Sequence, residues 1–135
     1  MQAFPFTALI TLAAVAVFFW TATRVAGARS RYKVPVPATT GDPDFERYFR
    51  VQMNMLEWMP IFLPALWLCA GFWGDKIAAG VGAVWVVARI FDALAYVRDP
   101  KSRGVWFLAQ TLASLALWVG GVAGVVQILG ATIFA

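Results

Sequence analysis

Four long stretches without a charged residue constrain this sequence more than any other feature. A helix needs about 20 mainly apolar residues to cross the hydrocarbon core of a membrane. Residues 1–23 and 104–135 satisfy that length unaided, whereas residues 58–74 and 77–88 satisfy it when a few flanking polar residues are included. Only 13% of the residues are charged, against about 25% in a typical soluble domain. The sequence therefore predicts an all-α integral membrane protein, a bundle of four transmembrane helices.

The predicted helices cover about residues 3–26, 45–72, 77–97 and 105–133 of a single domain that spans residues 1–135. No basic residue precedes the first apolar run, so we expect a retained helix rather than a cleaved signal peptide. Either Asp42 or Asp44 is expected to cap the second helix at its N-terminus. In the fourth helix, Gly120 and Gly124 would let another helix approach closely, without specifying which helix that is.

Basic residues cluster after the first and the third predicted helix. They are Arg24, Arg29, Arg31 and Lys33 in the first cluster and Arg98, Lys101 and Arg103 in the second. With four spans, both clusters lie on the same side of the membrane, and basic loops stay in the cytosol. We therefore expect segments 27–44 and 98–104 to be cytosolic, with Met1 and Ala135 on the opposite side. This topology accounts for the net charge of +4 without a nucleic-acid partner.

The residue types that build disulfides and metal centres are scarce. Cys69 is the only cysteine in the sequence and histidine is absent. An internal disulfide is therefore excluded, and neither a metal nor a haem site is expected. Cys69 also lies inside a predicted spanning helix, where a thiol usually serves packing.

Two stripes of polar residues interrupt the apolar pattern. In the second helix, one face of about 100° carries Glu46, Arg47, Arg50, Asn54 and Glu57, while Gln52 points away from that face. In the third helix, the spacings of three and four residues align Arg89, Asp92 and Tyr96. Ionisable groups at membrane depth are costly and usually face a bundle interior or a wet cavity.

These stripes predict one shared polar cavity that opens to the cytosol. Arginines would bind carboxylates through paired hydrogen bonds, and Glu57 would bind an ammonium group. Such a cavity suits a small zwitterionic or anionic molecule. The alternative is structural, because Glu57 together with Arg50 or Arg89 would also form a neutralising pair that ties helices together.

Several segments of the sequence resemble the MAPEG family, the membrane-associated proteins of eicosanoid and glutathione metabolism. The resemblance is nearest to the leukotriene C synthase and microsomal glutathione transferase branch, and it covers nearly the whole chain. The segments that carry it are residues 28–34, 40–47, 50–57, 60–63, 66–67 and 88–90, together with Tyr96 and Arg103. The resemblance implies four helices, a homotrimer, and glutathione bound between neighbouring subunits near the cytosolic face.

The resemblance also implies roles for individual residues. One subunit would contact glutathione through Arg50, Asn54, Glu57, Tyr96 and Arg103, with Asp92 as a further candidate, and its neighbour would contribute Arg29 and Gln52. Arg103 matches the arginine that holds the glutathione thiolate. A guanidinium beside a thiol favours the thiolate and lowers the thiol pKa below about 8.5.

Three positions depart from the pattern of that branch. Ser30 stands in place of a second arginine, Trp58 in place of a contact tyrosine, and Asp92 in place of a tyrosine or, in other branches, a histidine. Asp92 would either bind the glutathione amine or pair with Arg89, and close to the sulfur its charge would oppose thiolate formation. These departures are compatible with glutathione binding, but they leave the identity of the second substrate undetermined.

The function expected from these features is that of a membrane-bound glutathione transferase acting on lipophilic electrophiles. The same thiolate would also support a glutathione peroxidase activity on lipid hydroperoxides. The alternative is a non-catalytic lipid-binding or scaffold protein of the same family, against which the presence of Arg103 counts. A four-helix drug exporter is disfavoured, because such proteins depend on a glutamate in the first helix, where this chain has no charge before Arg24.

Overall fold

A computed structural model describes residues 4–133 of the protein. Within that range it contains four long helices: α1 (Pro5–Arg31), α2 (Pro43–Trp73), α3 (Asp75–Arg98) and α4 (Gly104–Ile133). A short 3-10 helix, Pro100–Arg103, precedes α4. Each long helix is apolar and long enough to cross a membrane, so the predicted all-α bundle of four helices able to span a membrane is confirmed for the described residues. The predicted helix start at Ala3 and the termini Met1 and Ala135 lie outside the described residues.

The first helix is longer than the sequence predicted. Helix α1 continues five residues beyond Ala26 and ends at Arg31. A glycine inside a helix costs only about 1 kcal/mol relative to alanine, so Gly27 does not stop it. The basic residues of the last turn, Arg29 and Arg31, also complement the negative end of the helix dipole. The chain leaves the helix at Tyr32, and Lys33 then adopts a left-handed backbone conformation with φ of 55°.

Helix α2 begins at a capping aspartate. The Asp42 carboxylate accepts hydrogen bonds from the backbone N–H groups of Asp44 and Phe45, at 2.9 and 3.1 Å. Pro43 occupies the first turn, and the Glu46 side chain accepts a hydrogen bond from the backbone N–H of Gly41 at 3.1 Å. These contacts satisfy backbone donors that a helix N-terminus leaves unpaired. They confirm Asp42, one of the two predicted capping residues.

Helices α2 and α3 form the centre of the bundle, and each packs against all three other helices. The rings of Phe62 and Trp85 stack in this centre with their centroids 3.8 Å apart. Near the end of α2, Gly124 leaves space for the Phe72 ring, which a side chain at that position would overlap. Trp73 donates a hydrogen bond to the Gly120 carbonyl at 2.8 Å. The small residues of α4 therefore pack against α2 of the same chain.

The two basic segments lie at the same end of the bundle. The Arg47 side chain donates hydrogen bonds to the carbonyls of Val97 and Arg98, which joins the start of α2 to the end of α3. At the opposite end, the Asp75 carboxylate accepts hydrogen bonds from the backbone N–H groups of Phe6 and Thr7, at 2.9 and 2.7 Å. The start of α1 is thus fixed to the start of α3.

Candidate functional site

A polar groove lies at the end of the bundle that carries the basic segments. Its volume is about 420 Å³, and it is formed by the α1–α2 loop, the first turns of α2 and the last turn of α3. The lining residues are Thr39, Thr40, Pro43, Glu46, Arg47, Phe49, Arg50 and Tyr96. Arg50 and Tyr96 come from the two predicted polar stripes, so the structure brings those stripes together here.

Arg50 and Glu57 pair with each other on the surface of α2. The two guanidinium nitrogens Nη1 and Nη2 donate to Oε1 and Oε2 of Glu57, at 3.1 and 3.4 Å. Both side chains are about half exposed, at 52% and 53%. An exposed pair of this kind contributes little to stability, so both groups can exchange partners at small cost. The structure also shows which arginine pairs with Glu57, because Arg89 pairs elsewhere.

Arg103 lies next to the groove and is held by aromatic faces. Its guanidinium carbon is 4.8 Å from the centroid of the Tyr96 ring and 4.5 Å from that of Phe107. Among residues 4–133, no carboxylate lies within 4.0 Å of its nitrogens, whereas Arg47 and Arg50 each face one. Ring faces attract a cation without neutralising it. The Arg103 charge is therefore available to an anionic group in or beside the groove.

Asn54 and Asp92 lie in the bundle interior and not on the groove surface. Both are buried, at 6% and 2% exposure, and both accept hydrogen bonds from the Arg89 guanidinium, at 2.9 and 3.3 Å. Asp92 thus forms the ion pair with Arg89 that was one of its two expected roles. The single shared cavity expected from the sequence is divided in two: an open groove, and a buried network centred on Arg89.

The two residues expected to serve a neighbouring subunit are also separate from the groove lining. Arg29 donates from Nη1 to the carbonyls of Pro35 and Ala38, at 3.2 and 2.7 Å, so within its own chain it organises the α1–α2 loop. Its guanidinium also lies 4.8 Å from the Phe45 ring centroid. Gln52 is partly exposed on α2. Their contacts with glutathione stay predictions.

Two residues of this region were not among the sequence-based candidates. Phe107, which supports Arg103, follows it by four residues and hence shares its helix face. The Phe107 ring also contacts Trp58, with centroids 5.9 Å apart, so the unusual Trp58 supports the aromatic contact of Arg103. Gln110 is fully buried and accepts a hydrogen bond from Arg89 at 3.2 Å. A glutamine inside an uncharged spanning helix was the available signal for it.

Comparisons with known proteins identify relatives over most of the chain. The sequence model of the MAPEG family matches residues 7–123. The chain is 45% identical over 113 residues to uncharacterized protein sll1147 of Synechocystis sp., with 84% of this chain and 82% of that protein covered. It is 35% identical over 106 residues to microsomal glutathione S-transferase 2 of Bos taurus, covering 78% and 73%. It is 37% identical over 113 residues to leukotriene C4 synthase of Bos taurus, covering 83% and 73%.

Proposed function

Because the chain belongs to the MAPEG family, we propose that it is a membrane-bound glutathione transferase that joins glutathione to lipophilic electrophiles. The observation that carries the proposal is Arg103, a cation without a carboxylate partner among residues 4–133 that is held beside a polar groove. Relatives at 35–37% identity are a glutathione S-transferase and a leukotriene C4 synthase. Glutathione is the proposed cosubstrate.

Arg50, which lines the groove, and its ion-pair partner Glu57 offer complementary charges to the γ-glutamyl end of glutathione. Its γ-glutamyl end carries a carboxylate and an ammonium on one carbon, and Arg50 and Glu57 provide the opposite charges at neighbouring positions. Arginine binds a carboxylate through two parallel hydrogen bonds, and Glu57 would accept from the ammonium. Tyr96 and Asn54 are the further proposed contacts from the same subunit. Asp92 is bound to Arg89, so it acts on the site through that arginine.

Arg103 is the proposed catalytic residue. A glutathione thiol has a pKa near 8.5 in water, so only a small share of it is thiolate at neutral pH. A guanidinium with no competing carboxylate lowers that pKa by favouring the charged form. The thiolate, not the thiol, is the nucleophile. Arg103 therefore raises the concentration of the reactive species in the bound state.

The proposed reaction needs no protein nucleophile. The thiolate sulfur attacks an electrophilic carbon and forms a C–S bond while the leaving group departs with its bonding electrons; an epoxide oxygen would instead remain attached and take up a proton. With a lipid hydroperoxide, the thiolate sulfur would attack the terminal oxygen and cleave the O–O bond, giving an alcohol and the sulfenic acid of glutathione. A second glutathione thiol would then displace that hydroxyl group as water and form the disulfide. Positioning of the two reactants supplies the remaining acceleration.

The second substrate is proposed to arrive through the bilayer. The outer faces of the spanning helices are apolar, with exposed residues such as Phe19, Val84 and Leu108, and are suited to contact with membrane lipids. A lipophilic electrophile concentrates in that phase and meets glutathione, which enters from the cytosol. This arrangement requires the groove and the basic segments to be cytosolic, as the positive-inside rule favours.

A homotrimer is part of the proposal. The groove of one chain is open to its surroundings, and Arg29 and Gln52 lie on other parts of the surface. In an assembly of three chains, these residues of one subunit would close the groove of the next. Glutathione would then be bound between subunits.

The decisive experiment measures glutathione-dependent turnover of chlorodinitrobenzene by the purified protein and by Arg103→Ala. We expect turnover at neutral pH to fall about a hundredfold, which corresponds to roughly 3 kcal/mol of lost transition-state stabilisation. The thiolate absorbance of bound glutathione should titrate at a higher pH in the variant. Turnover should partly recover as pH rises through that raised pKa.

Lys101→Ala is the matched control, because it removes one positive charge from the same segment at an exposed position. It should leave both the thiol pKa and turnover within about twofold of the parent, as expected for a screened surface charge. An Arg103→Ala protein with unchanged thiol pKa and unchanged turnover would remove Arg103 from the chemistry. A parent protein that binds glutathione but turns over neither electrophile nor hydroperoxide would instead favour the non-catalytic alternative.

A further inference from the structure

The buried arginine Arg89 connects three helices through one side chain. It lies on α3 at 1% exposure, and its Nη1 donates to Asn54 on α2 and to Gln110 on α4, at 2.9 and 3.2 Å. Its charge is compensated by Asp92, at 3.3 Å. A buried guanidinium needs this carboxylate, because an unpaired charge held away from water is costly.

The contact with Arg89 determines how the Asn54 amide is oriented. An asparagine side chain has an acceptor oxygen on one arm and a donor NH₂ group on the other, whereas arginine can only donate. The Asn54 oxygen must therefore face Arg89, as observed, and the NH₂ group must occupy the opposite arm. Rotating the amide would place donors against donors in a buried site, where an unpaired polar group is costly.

Asn54 occupies the same face of α2 as the two charged residues of the proposed glutathione site. It follows Arg50 by four residues and precedes Glu57 by three, so the three side chains share one stripe. Asn54 does not line the groove, but within residues 4–133 its NH₂ nitrogen makes no hydrogen bond and is not one of the fully buried unpaired atoms, so it can donate a hydrogen bond to a ligand. The matching group on glutathione is an acceptor, either a peptide carbonyl or a carboxylate oxygen.

We propose that Arg89 is a positioning residue that locks Asn54 with its amide NH₂ group toward glutathione, so that the site recognises an acceptor oxygen there. Arg89 itself does not touch the tripeptide. Asp92 contributes indirectly, because it holds Arg89 in its buried position. The inference rests on the proposed function, and it explains why a charged pair stands deep inside a spanning bundle.

The test compares two substitutions that each remove one amide acceptor from Arg89: Asn54→Leu and Gln110→Leu. For Asn54→Leu, the glutathione KM should rise roughly tenfold, the cost of one lost hydrogen bond to a polar ligand. Its kcat at saturating glutathione should stay within about twofold, since Arg103 is untouched. Gln110→Leu should change neither value by more than about twofold. Equal effects of the two substitutions on KM would overturn the proposal.

A double-mutant cycle tests the role of Arg89 itself. Arg89→Lys keeps the charge beside Asp92 but loses the planar group of donors, so it should raise the glutathione KM to a similar extent as Asn54→Leu. Because both act through one hydrogen bond, the double variant should be no worse than Asn54→Leu alone. Additive effects would overturn the proposal. If Arg89→Lys does not fold, as judged by thermal melting, the comparison of Asn54→Leu with Gln110→Leu still tests the proposal.

The outcomes separate this inference from the proposed function. A parent protein that neither binds nor uses glutathione would remove the proposed function. A parent that uses glutathione, with a KM that Asn54→Leu leaves unchanged, would remove only the role of Arg89 and Asn54.

Discussion

The guanidinium carbon of Arg103 lies 4.8 Å from the centroid of the Tyr96 ring, across the junction between α3 and α4. This contact differs in kind from those of Arg50 and Arg89, which face carboxylates at 3.1 and 3.3 Å. A ring face holds a guanidinium in place and leaves its charge uncompensated. Among the arginines near the groove, Arg103 is therefore the one suited to stabilise a new negative charge.

Removing the ring of Tyr96 should impair turnover more than removing its hydroxyl group. Tyr96→Leu abolishes the ring face and should lower kcat by roughly 5- to 30-fold, which corresponds to about 1–2 kcal/mol. Tyr96→Phe keeps the ring, so its kcat should stay near that of the parent, and loss of a hydroxyl contact should appear in the glutathione KM. Steady-state kinetics with varied glutathione would distinguish the two. Equal loss of kcat in both variants would contradict a supporting role for the ring.

Replacing Glu57 should weaken glutathione binding without altering the thiol. Glu57→Gln removes the negative charge proposed to bind the ammonium group, and a hydrogen bond involving a charged group is worth about 1.5–3 kcal/mol. We expect the dissociation constant to rise about tenfold or more, while the pKa of the bound thiol stays the same. Calorimetry would give the affinity and a thiolate absorbance series the pKa. A raised thiol pKa would instead connect Glu57 to the chemistry.

Accessibility labelling should place both basic segments in the cytosol. In a Cys69→Ala background, Thr39→Cys and Lys101→Cys should react with an impermeant maleimide only when the cytosolic side is exposed. Lys76→Cys, in the turn at the other end of the bundle, serves as the reciprocal control and should react only from the opposite side. Reaction of positions 39 and 101 from the non-cytosolic side alone would reverse the proposed topology.

The protein is expected to assemble as a homotrimer. Arg29 and Gln52 are polar residues that do not line the groove of their own chain. In a monomer they would therefore not contact glutathione bound in that groove. A detergent-corrected mass of about three times the 14.8 kDa of one chain would support the assembly. Gln52→Leu should then raise the glutathione KM although the groove of its own chain is intact. An active monomer would exclude the trimer.

The Asp75 carboxylate should stabilise the fold at the end of the bundle opposite to the groove. It accepts hydrogen bonds from the backbone N–H groups of Phe6 and Thr7 and places a negative charge at the positive end of α1. Asp75→Ala should lower Tm by roughly 2–6 °C, as expected for a lost helix cap. Lys76→Ala is the neighbouring control and should change Tm little. Turnover per folded protein should be unchanged in both variants.

Local sequence features predicted the elements of this fold well. Uncharged apolar stretches indicated the four spans, because a spanning helix must satisfy its own backbone and present apolar side chains to lipid. Asp42 was one of the two predicted caps of α2, and the helix begins at Pro43, two residues before the predicted start at residue 45. Helix α1 ends at Arg31, five residues beyond the predicted end at Ala26, because it continues through Gly27. Each of these features is set by residues that lie close together in the sequence, so it can be recognised without the tertiary structure.

The pairing of charged side chains was decided by the tertiary structure. The sequence placed Arg50, Glu57, Arg89 and Asp92 on polar stripes, but it left open whether Glu57 pairs with Arg50 or Arg89. The structure joins Glu57 to Arg50 on the surface and Arg89 to Asp92 in the interior. Helix rotation and axial offset select between such partners, and hydropathy does not encode them, because lipid and protein interior are equally apolar. For the same reason, only the packed bundle showed that Gly124 receives Phe72 of its own chain.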